Sequence, residues 1–535
     1  GRYKMSGSAR LAGETSELEL EYKGCAFSSA TPSLEFQASS DGKTSAFNVS
    51  ALLPKLKAAY GAAWLEAASL ELLARDSENG AVSFDAIVSD LSARTGSFSA
   101  KVPKAMLAGS LKDASVNAVA SFENASGIEE NSKLAFEGLS LNMPCKLPLS
   151  PDAEAGTLAV KSLVFNGHPL GSLTAKLSTQ ENEFDASGEL VSALVPNLKI
   201  VFSSSNKFGA HPFESNTKFG IPKFKIDEPF DLGKAFPKAK GIMLDGEFLL
   251  DGAYAIDWQH ESSAHLLLQA SHANIREASG KFSVECFDSS FELPGLPILQ
   301  SSPSQKITFK RASYGKLSME NGVSTVRLDA LDAIFVEKLS ANWCGGKIRA
   351  QSFLINPASA TYDLTIHCDR VSIAQFFEQI SVGHAEGEGT LNGTIPLTIK
   401  NGIPNFQDAF LYSTPGDPGT LKLEDNGMLA AGMQEGSPEA STVEIARESL
   451  KNFNYSWAKI SLNTQNETIA MKLQLDGKPA MPLPFRIEDG KYVRDNEYKG
   501  VFQGIRLDLN FNVPLSDIIG LSGSFKNMLK GASGK

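Results

Sequence analysis

Residues able to do chemistry are thin in this 535-residue chain, and their spacings are wrong for the common reactions. His260-Glu261-Ser262-Ser263-Ala264-His265 comes nearest to a zinc site, but it reads HExxxH. Histidines at i and i+5 do not converge on one metal from a helix, and from a strand they point to opposite faces. Gly387-Glu388-Gly389-Thr390-Leu391-Asn392-Gly393 reads GxGxxxG and runs into a strand-like stretch, so no helix N-terminus follows to hold a phosphate. A turn is the expected reading. Ser204-Ser205-Asn206-Lys207 satisfies SxxK without the companion motifs of a penicillin-binding enzyme. Neither a GxSxG elbow nor a P-loop occurs, and Cys25, Cys145, Cys286, Cys344 and Cys368 include no CxxC. Cys344 and Cys368 suit neighbouring strands, either bonded or as buried thiols. No catalytic residue, metal or cofactor is expected.

Composition narrows the classes further. A hydrophobic content of 42% supports a folded polypeptide. The net charge of −11, with Lys and Arg scattered among acids, argues against nucleic acid, whose binding is dominated by phosphate neutralisation.

What must position any functional residue is a succession of strands. Leu18, Leu20 and Tyr22 interleave with Glu17, Glu19 and Glu21, and Val82, Phe84, Ala86 and Val88 alternate with polar residues except at Ile87. Such runs have one apolar face. Turn signals recur at Asp41-Gly42, Asn79-Gly80, Asn166-Gly167, Asp245-Gly246, Asn321-Gly322, Asn401-Gly402, Asp476-Gly477 and Asp489-Gly490. Allowing roughly 15–18 residues per strand and turn, about 30 strands are expected, mostly antiparallel. Four helices are expected: 51–63, 372–380, 438–452 and 516–530. Soft breaks at 208–237 and 294–303 divide the chain into segments 1–235, 236–330 and 331–535. No fixed repeat is visible, which counts against propellers and solenoids.

The most patterned stretch opens at Trp343-Cys344-Gly345-Gly346, a tight bend entering an extended run. It continues through Gly389-Thr390-Leu391-Asn392-Gly393-Thr394-Ile395-Pro396-Leu397 to Pro415-Gly416. Ser449–Tyr455 and Leu473–Pro479 follow in the same order. Together these pieces resemble the YdbH-like branch of the AsmA superfamily, bridge-like lipid-transfer proteins of diderm bacterial envelopes. The resemblance covers roughly 330–520; the first half carries only the generic β-repeat character of the superfamily.

The resemblance implies an elongated, strongly twisted, mostly antiparallel sheet folded lengthwise into a groove, with a few short helices. It also implies phospholipid transport across the periplasm, an inner-membrane anchor outside this chain, and a small outer-membrane lipoprotein that adds a strand. Arg506–Phe511 is the candidate docking end. An accompanying "dicarboxylate transport" label finds no Arg cluster to support it.

Composition alone would also allow the apolar faces to close into an ordinary sandwich core. In a groove they would shelter phospholipid acyl chains, which cost roughly 0.8 kcal/mol per CH₂ in water. About 30 strands stacked at roughly 4.8 Å would span on the order of 140 Å. Residues expected to line the groove are Tyr362, Leu364, Ile366, Leu391, Ile395, Leu397, Ile399, Met471, Leu473, Leu475, Leu507, Leu509 and Phe511. Pro396 should bulge its strand or place it locally at an edge. The rival readings are an extracellular structural or adhesive β-sandwich protein, which would take up no phospholipid, and a carbohydrate-active parallel β-helix, whose stacked coil ladders are not visible.

Overall fold

The computed structural model describes residues 5–12, 17–22, 25–40, 45–77, 80–147, 154–180, 183–207, 214–235, 239–257, 263–296, 300–330, 333–356, 361–400, 403–425, 438–466, 468–488 and 491–519. Among them are 33 strands, of which 31 belong to one antiparallel sheet that is not closed into a barrel. The chain divides into two units, one of Gly1–Pro222 with Asp251–Ala264 and one of Lys223–Leu250 with His265–Lys535.

The first unit is largely a meander in which successive strands pair. Its alternation becomes rows of apolar side chains. Leu53, Leu70, Val88, Ala105, Phe122, Leu141, Leu158, Ala175, Gly188, Phe202 and Phe219 stand opposite one another across eleven consecutive strands. All but Ala175 are only half-buried. The other face carries exposed cross-strand ion pairs, including Lys57–Glu66 at 3.4 Å and Lys199–Glu189 at 3.0 Å.

A crease crosses this unit. In seven consecutive strands two successive residues interrupt the alternation: Pro54-Lys55, Ala68-Ser69, Ser89-Asp90, Pro103-Lys104, Glu123-Asn124, Glu137-Gly138 and Lys161-Ser162. The ladders skip at the same level. Lys55, Asp90, Asn124 and Gly138 take the left-handed conformation there, with φ of 48°, 49°, 56° and 65°. Such irregularities bend strands and add twist. Beside the crease, on the apolar side, lie Leu56, Ala67, Ala125 and Val160, all buried. Deep burial at the bend with half-burial on the flanks means that the strands fold towards their apolar face. Pro54 and Pro103 sit where the ladder is already broken, so their missing N–H groups cost little.

Several expectations need correction. Residues 51–63 are not a helix: Ser45–Tyr60 and Ala63–Ser77 are paired strands. The Ala-rich composition and the Leu53–Leu56 spacing imitate a helix, but ladder partners on both sides outweigh intrinsic propensity. Asp245-Gly246, Asn321-Gly322 and Asp476-Gly477 lie inside strands rather than at hairpin tips. Asn321, at φ 51°, occupies a bulge where the register jumps from Glu320 to Val323, and the Phe309 ring covers Gly322. Asn166-Gly167 does form its turn, with φ of 49° and 79°. Asp41-Gly42, Asn401-Gly402, Asp489-Gly490 and Asn79 lie outside the described residues.

The other helices form as Ile373–Gln379, Pro438–Leu450 and Leu515–Ile519; positions from 520 onward lie outside the described residues. In this second unit, three left-handed residues have their N–H groups met by side chains of a neighbouring strand. His272 donates to Asp288 at 2.8 Å, Arg370 to Asn392 at 3.0 Å and Asp408 to Asn463 at 2.7 Å.

Candidate functional site: an apolar cavity in the second unit

The strand Thr361–Ser372 pairs with Thr390–Lys400 so that Tyr362 faces Ile399, Leu364 faces Leu397 and Ile366 faces Ile395. Pro404 and Phe406 extend the rows beside Ile399 and Leu397. These side chains form one wall of a cavity of about 360 Å³. The lining also includes Tyr314 and Leu317, themselves a cross-strand pair, with Met319 and Trp343. Phe376, Ile380, Leu515 and Ile518, all buried, belong to the same lining, as do the buried Leu462, Ile469 and Val513.

Local sequence explains the placement. Cys344 and Gly345 take φ of 48° and 72° in a two-residue hairpin that brings Trp343 opposite Gly346. Ser372 caps the short helix by accepting from Gln375 N–H, and the i, i+3, i+4, i+7 stripe turns Phe376 and Ile380 inward. The GxGxxxG stretch is a connector: Gly387 and Gly389 have φ of 146° and 123°, and a Cβ on Gly389 would collide with the Tyr455 hydroxyl. That hydroxyl donates to the Glu388 carbonyl at 3.2 Å. Pro396 falls between the strands Ile403–Phe406 and Ala409–Ser413, where Gln407 N–H donates to its carbonyl at 3.1 Å.

Six of the expected residues line this cavity: Tyr362, Leu364, Ile366, Ile395, Leu397 and Ile399. Leu391, Met471, Leu473, Leu475, Leu507, Leu509 and Phe511 are buried in the adjoining core instead, where Phe511 tilts against Phe377 at 6.5 Å. Leu364 also packs against a second buried cluster that holds Val326, Val336 and Phe353. Sequence reading missed Tyr314, Leu317, Met319 and Trp343 as lining residues. The short helix's apolar stripe was the available signal for Phe376 and Ile380.

The lining holds no charged side chain. Burial pushes the Tyr362 phenol above its ordinary pKa, and it pushes Cys344 and Cys368, both free thiols, up to about 12. Such a surface offers neither an acid–base pair nor a nucleophile; it removes hydrocarbon from water. His265, from the HExxxH stretch, lies 3.9 Å from Glu292, while His260 is outside the described residues.

An apolar cavity within a large creased antiparallel sheet agrees with the one comparison that finds a match. The YdbH-like family model, described as intermembrane phospholipid transport protein YdbH, matches residues 31–479. The chain belongs to the YdbH-like family. Membership makes it a member of a family of intermembrane phospholipid transporters of the periplasm, and the match takes in most of the first unit and the cavity lining except Val513, Leu515 and Ile518. No curated protein and no solved structure matches it. Among the described residues no helix is long and apolar enough to cross a membrane.

Proposed function

We propose that this YdbH-like chain moves phospholipids between the inner and outer membranes by laying their acyl chains along the apolar faces of its sheet. The observation that carries the reading is the half-exposure of the apolar rows in the first unit. A closed sandwich would bury them, whereas Leu70, Val88, Phe122 and Leu141 remain partly open to solvent. Lipid tails would complete that burial at roughly 0.8 kcal/mol per CH₂ while head groups stay in water. Movement would be passive and without catalysis.

In the cavity, Tyr362, Leu364, Ile366, Ile395, Leu397 and Ile399 would meet the chains, and the seven packed residues would hold the wall behind them. An N-terminal anchor outside this chain would hold the inner membrane. A small outer-membrane lipoprotein would add a strand along Ile505–Pro514, which among the described residues pairs only with Thr468–Pro479.

Native mass spectrometry of purified protein tests the reading, together with uptake of fluorescent phospholipid after delipidation. Bound phospholipid is expected. It should be reduced by Phe122→Asp with Leu141→Asp, and by Leu364→Asp with Leu397→Asp, with circular dichroism unchanged. A folded protein that neither retains nor takes up phospholipid would favour the structural or adhesive reading.

A further inference from the structure

On the strand Ala409–Ser413 the side chains alternate between two faces, and neither face is what a solvated sheet would show. Ala409 and Leu411 are buried in the core beside the cavity. Phe410 and Tyr412 point to the opposite, outward face and are 40% and 39% exposed. Trp457, on the strand Phe453–Gln465, shares that outward face at 37% exposed. The outward positions around these rings are polar: Asn392, Thr394, Lys459, Ser461, Gln474 and Asp476.

Strand register lines the three rings up. Phe410 and Tyr412 stack with centroids 6.4 Å apart and planes inclined at 18°. Tyr412 stands opposite Lys459, which makes Trp457 its diagonal neighbour, roughly 7–8 Å away and further along the same direction. The rings therefore form a nearly straight strip of about 14 Å in the middle of the sheet. Hydrogen-bonding groups flank it. Thr394 and Ser461 stand on either side of Phe410, and Asn392 stands beside Tyr412.

This face is basic within an acidic chain. Around the strip Lys347, Arg349, Arg370, Lys459, Lys472 and Arg506 outnumber Asp369, Asp476 and Asp508, against a net charge of −11 overall. Arg349 and Arg370 share Asp369 at 3.9 and 3.8 Å, and Lys472 and Arg506 share Asp508 at 3.9 and 4.0 Å. Lys459, directly opposite Tyr412, has no ion-pair partner among the described residues.

The chemistry of the strip selects its occupant. A protein interface keeps charge out of its core, yet every ring here has a charged or hydrogen-bonding side chain as its cross-strand partner. A bilayer surface accepts Trp and Tyr. These rings, however, are more than half covered in mid-sheet, and Trp457 could reach head-group depth only with Asp476 beside it. A sugar ring fits. Its C–H faces lie against aromatic rings while its hydroxyls meet Asn, Thr, Ser and Gln side chains. A linear strip suits a chain of such rings, and the surplus of cations favours one that carries carboxylates.

We propose that this outward strip binds an acidic polysaccharide, with sugar rings laid over Phe410, Tyr412 and Trp457 and carboxylates paired with Lys459 and the neighbouring cations. The site is on the face of the sheet opposite the cavity, so it does not rest on the transport reading. A glycan held there tethers the protein without entering its apolar surfaces.

Isothermal titration calorimetry of the full chain tests the site, using a uronic-acid hexasaccharide, the neutral hexasaccharide of N-acetylglucosamine, and vesicles of phosphatidylethanolamine with phosphatidylglycerol. Saturable binding of the acidic hexasaccharide is expected, with the neutral one at least threefold weaker. Tyr412→Ala with Trp457→Ala should weaken the acidic ligand at least tenfold and Lys459→Gln at least threefold, with circular dichroism unchanged. Should the double variant lose its fold, Trp457→Gln is read in its place.

No saturable binding of the acidic hexasaccharide, affinity unchanged by the aromatic variants, or equal affinity for the neutral hexasaccharide would overturn the proposal. Vesicle binding abolished by the aromatic variants, without any sugar binding, would overturn it too and make the strip a membrane contact.

Discussion

The Trp343 indole N–H donates to Gln379 Oε1 at 2.8 Å, joining a residue of the cavity lining to the helix Ile373–Gln379. The same oxygen accepts from Ser318 N–H at 3.1 Å, and the Gln379 amide donates back to the Ser318 carbonyl at 3.3 Å. One amide therefore fastens Trp343, the strand Leu317–Ala330 and the helix Ile373–Gln379 together.

Replacing Gln379 by Leu keeps the size of the side chain and strands the donors of Trp343 and Ser318. Unsatisfied buried donors cost about 1–3 kcal/mol. Urea unfolding of the full chain carrying Trp64→Phe, Trp258→Phe and Trp457→Phe, followed through the remaining Trp343 emission, should show a lowered midpoint together with a red-shifted native spectrum. An unchanged midpoint would show that the clamp contributes nothing.

At the crease, Asn124 stands at φ 56°. A β-branched side chain resists that conformation by about 1–2 kcal/mol, whereas Gly adopts it freely. Asn124 also accepts from the Lys161 ammonium at 2.8 Å, a hydrogen bond that neither Val nor Gly can make. Asn124→Val should therefore destabilise the first unit by about 1–2 kcal/mol more than Asn124→Gly. Equal midpoints in chemical denaturation would remove left-handed geometry as the cause of the bend.

Tyr455 lies over Gly389, so a methyl at that position meets its hydroxyl and must also hold φ 123°. Gly389→Ala should cost about 1–3 kcal/mol. In Gly389→Ala with Tyr455→Phe the worst contact, to the hydroxyl, is removed and only the ring carbon at 2.9 Å stays close, so the combined loss should fall short of the sum of the single losses. Strict additivity in the double-mutant cycle would contradict this packing.

Cys344 and Cys368 have thiols raised by burial from 9.0 to about 12, Cys344 also by the neighbouring Cys368. A folded-state pKa above the unfolded value means that stability is intact below about pH 9 and falls as pH rises towards 12. Iodoacetamide at pH 8 should leave both thiols unmodified until the protein unfolds. Thermal unfolding of Cys344→Ala with Cys368→Ala should have a shallower decline between pH 9 and 12 than the parent.

Much of the architecture was legible because period-two alternation survives in nearly every strand. Ile87, visible as an exception, only puts an apolar side chain on the polar face. The crease crosses this strand at Ser89-Asp90, where the sequence shows nothing unusual, and only alignment with equivalent slips in the neighbouring strands reveals it, because register is not readable from one strand. Asn-Gly and Asp-Gly pairs mark left-handed backbone equally well at hairpin tips and at bulges, which is why Asn166-Gly167 and Asn321-Gly322 look alike in sequence and differ in space. Six of the 21 residues lining the cavity could be read from alternation at Tyr362–Ile366 and Ile395–Ile399. Tyr314 and Met319 could not, because what brings them to the cavity is the packing of strands distant in sequence.

The crease has a consequence for how such proteins change size. Each strand carries its own two-residue interruption at the level of its neighbours, so the bend is specified hairpin by hairpin rather than by any distant contact. Duplicating or deleting a pair of strands within the meander would preserve the bend on either side of the splice. Length in this unit is then a quantity that evolution, or an engineer, can adjust in steps of two strands without redesigning the interior.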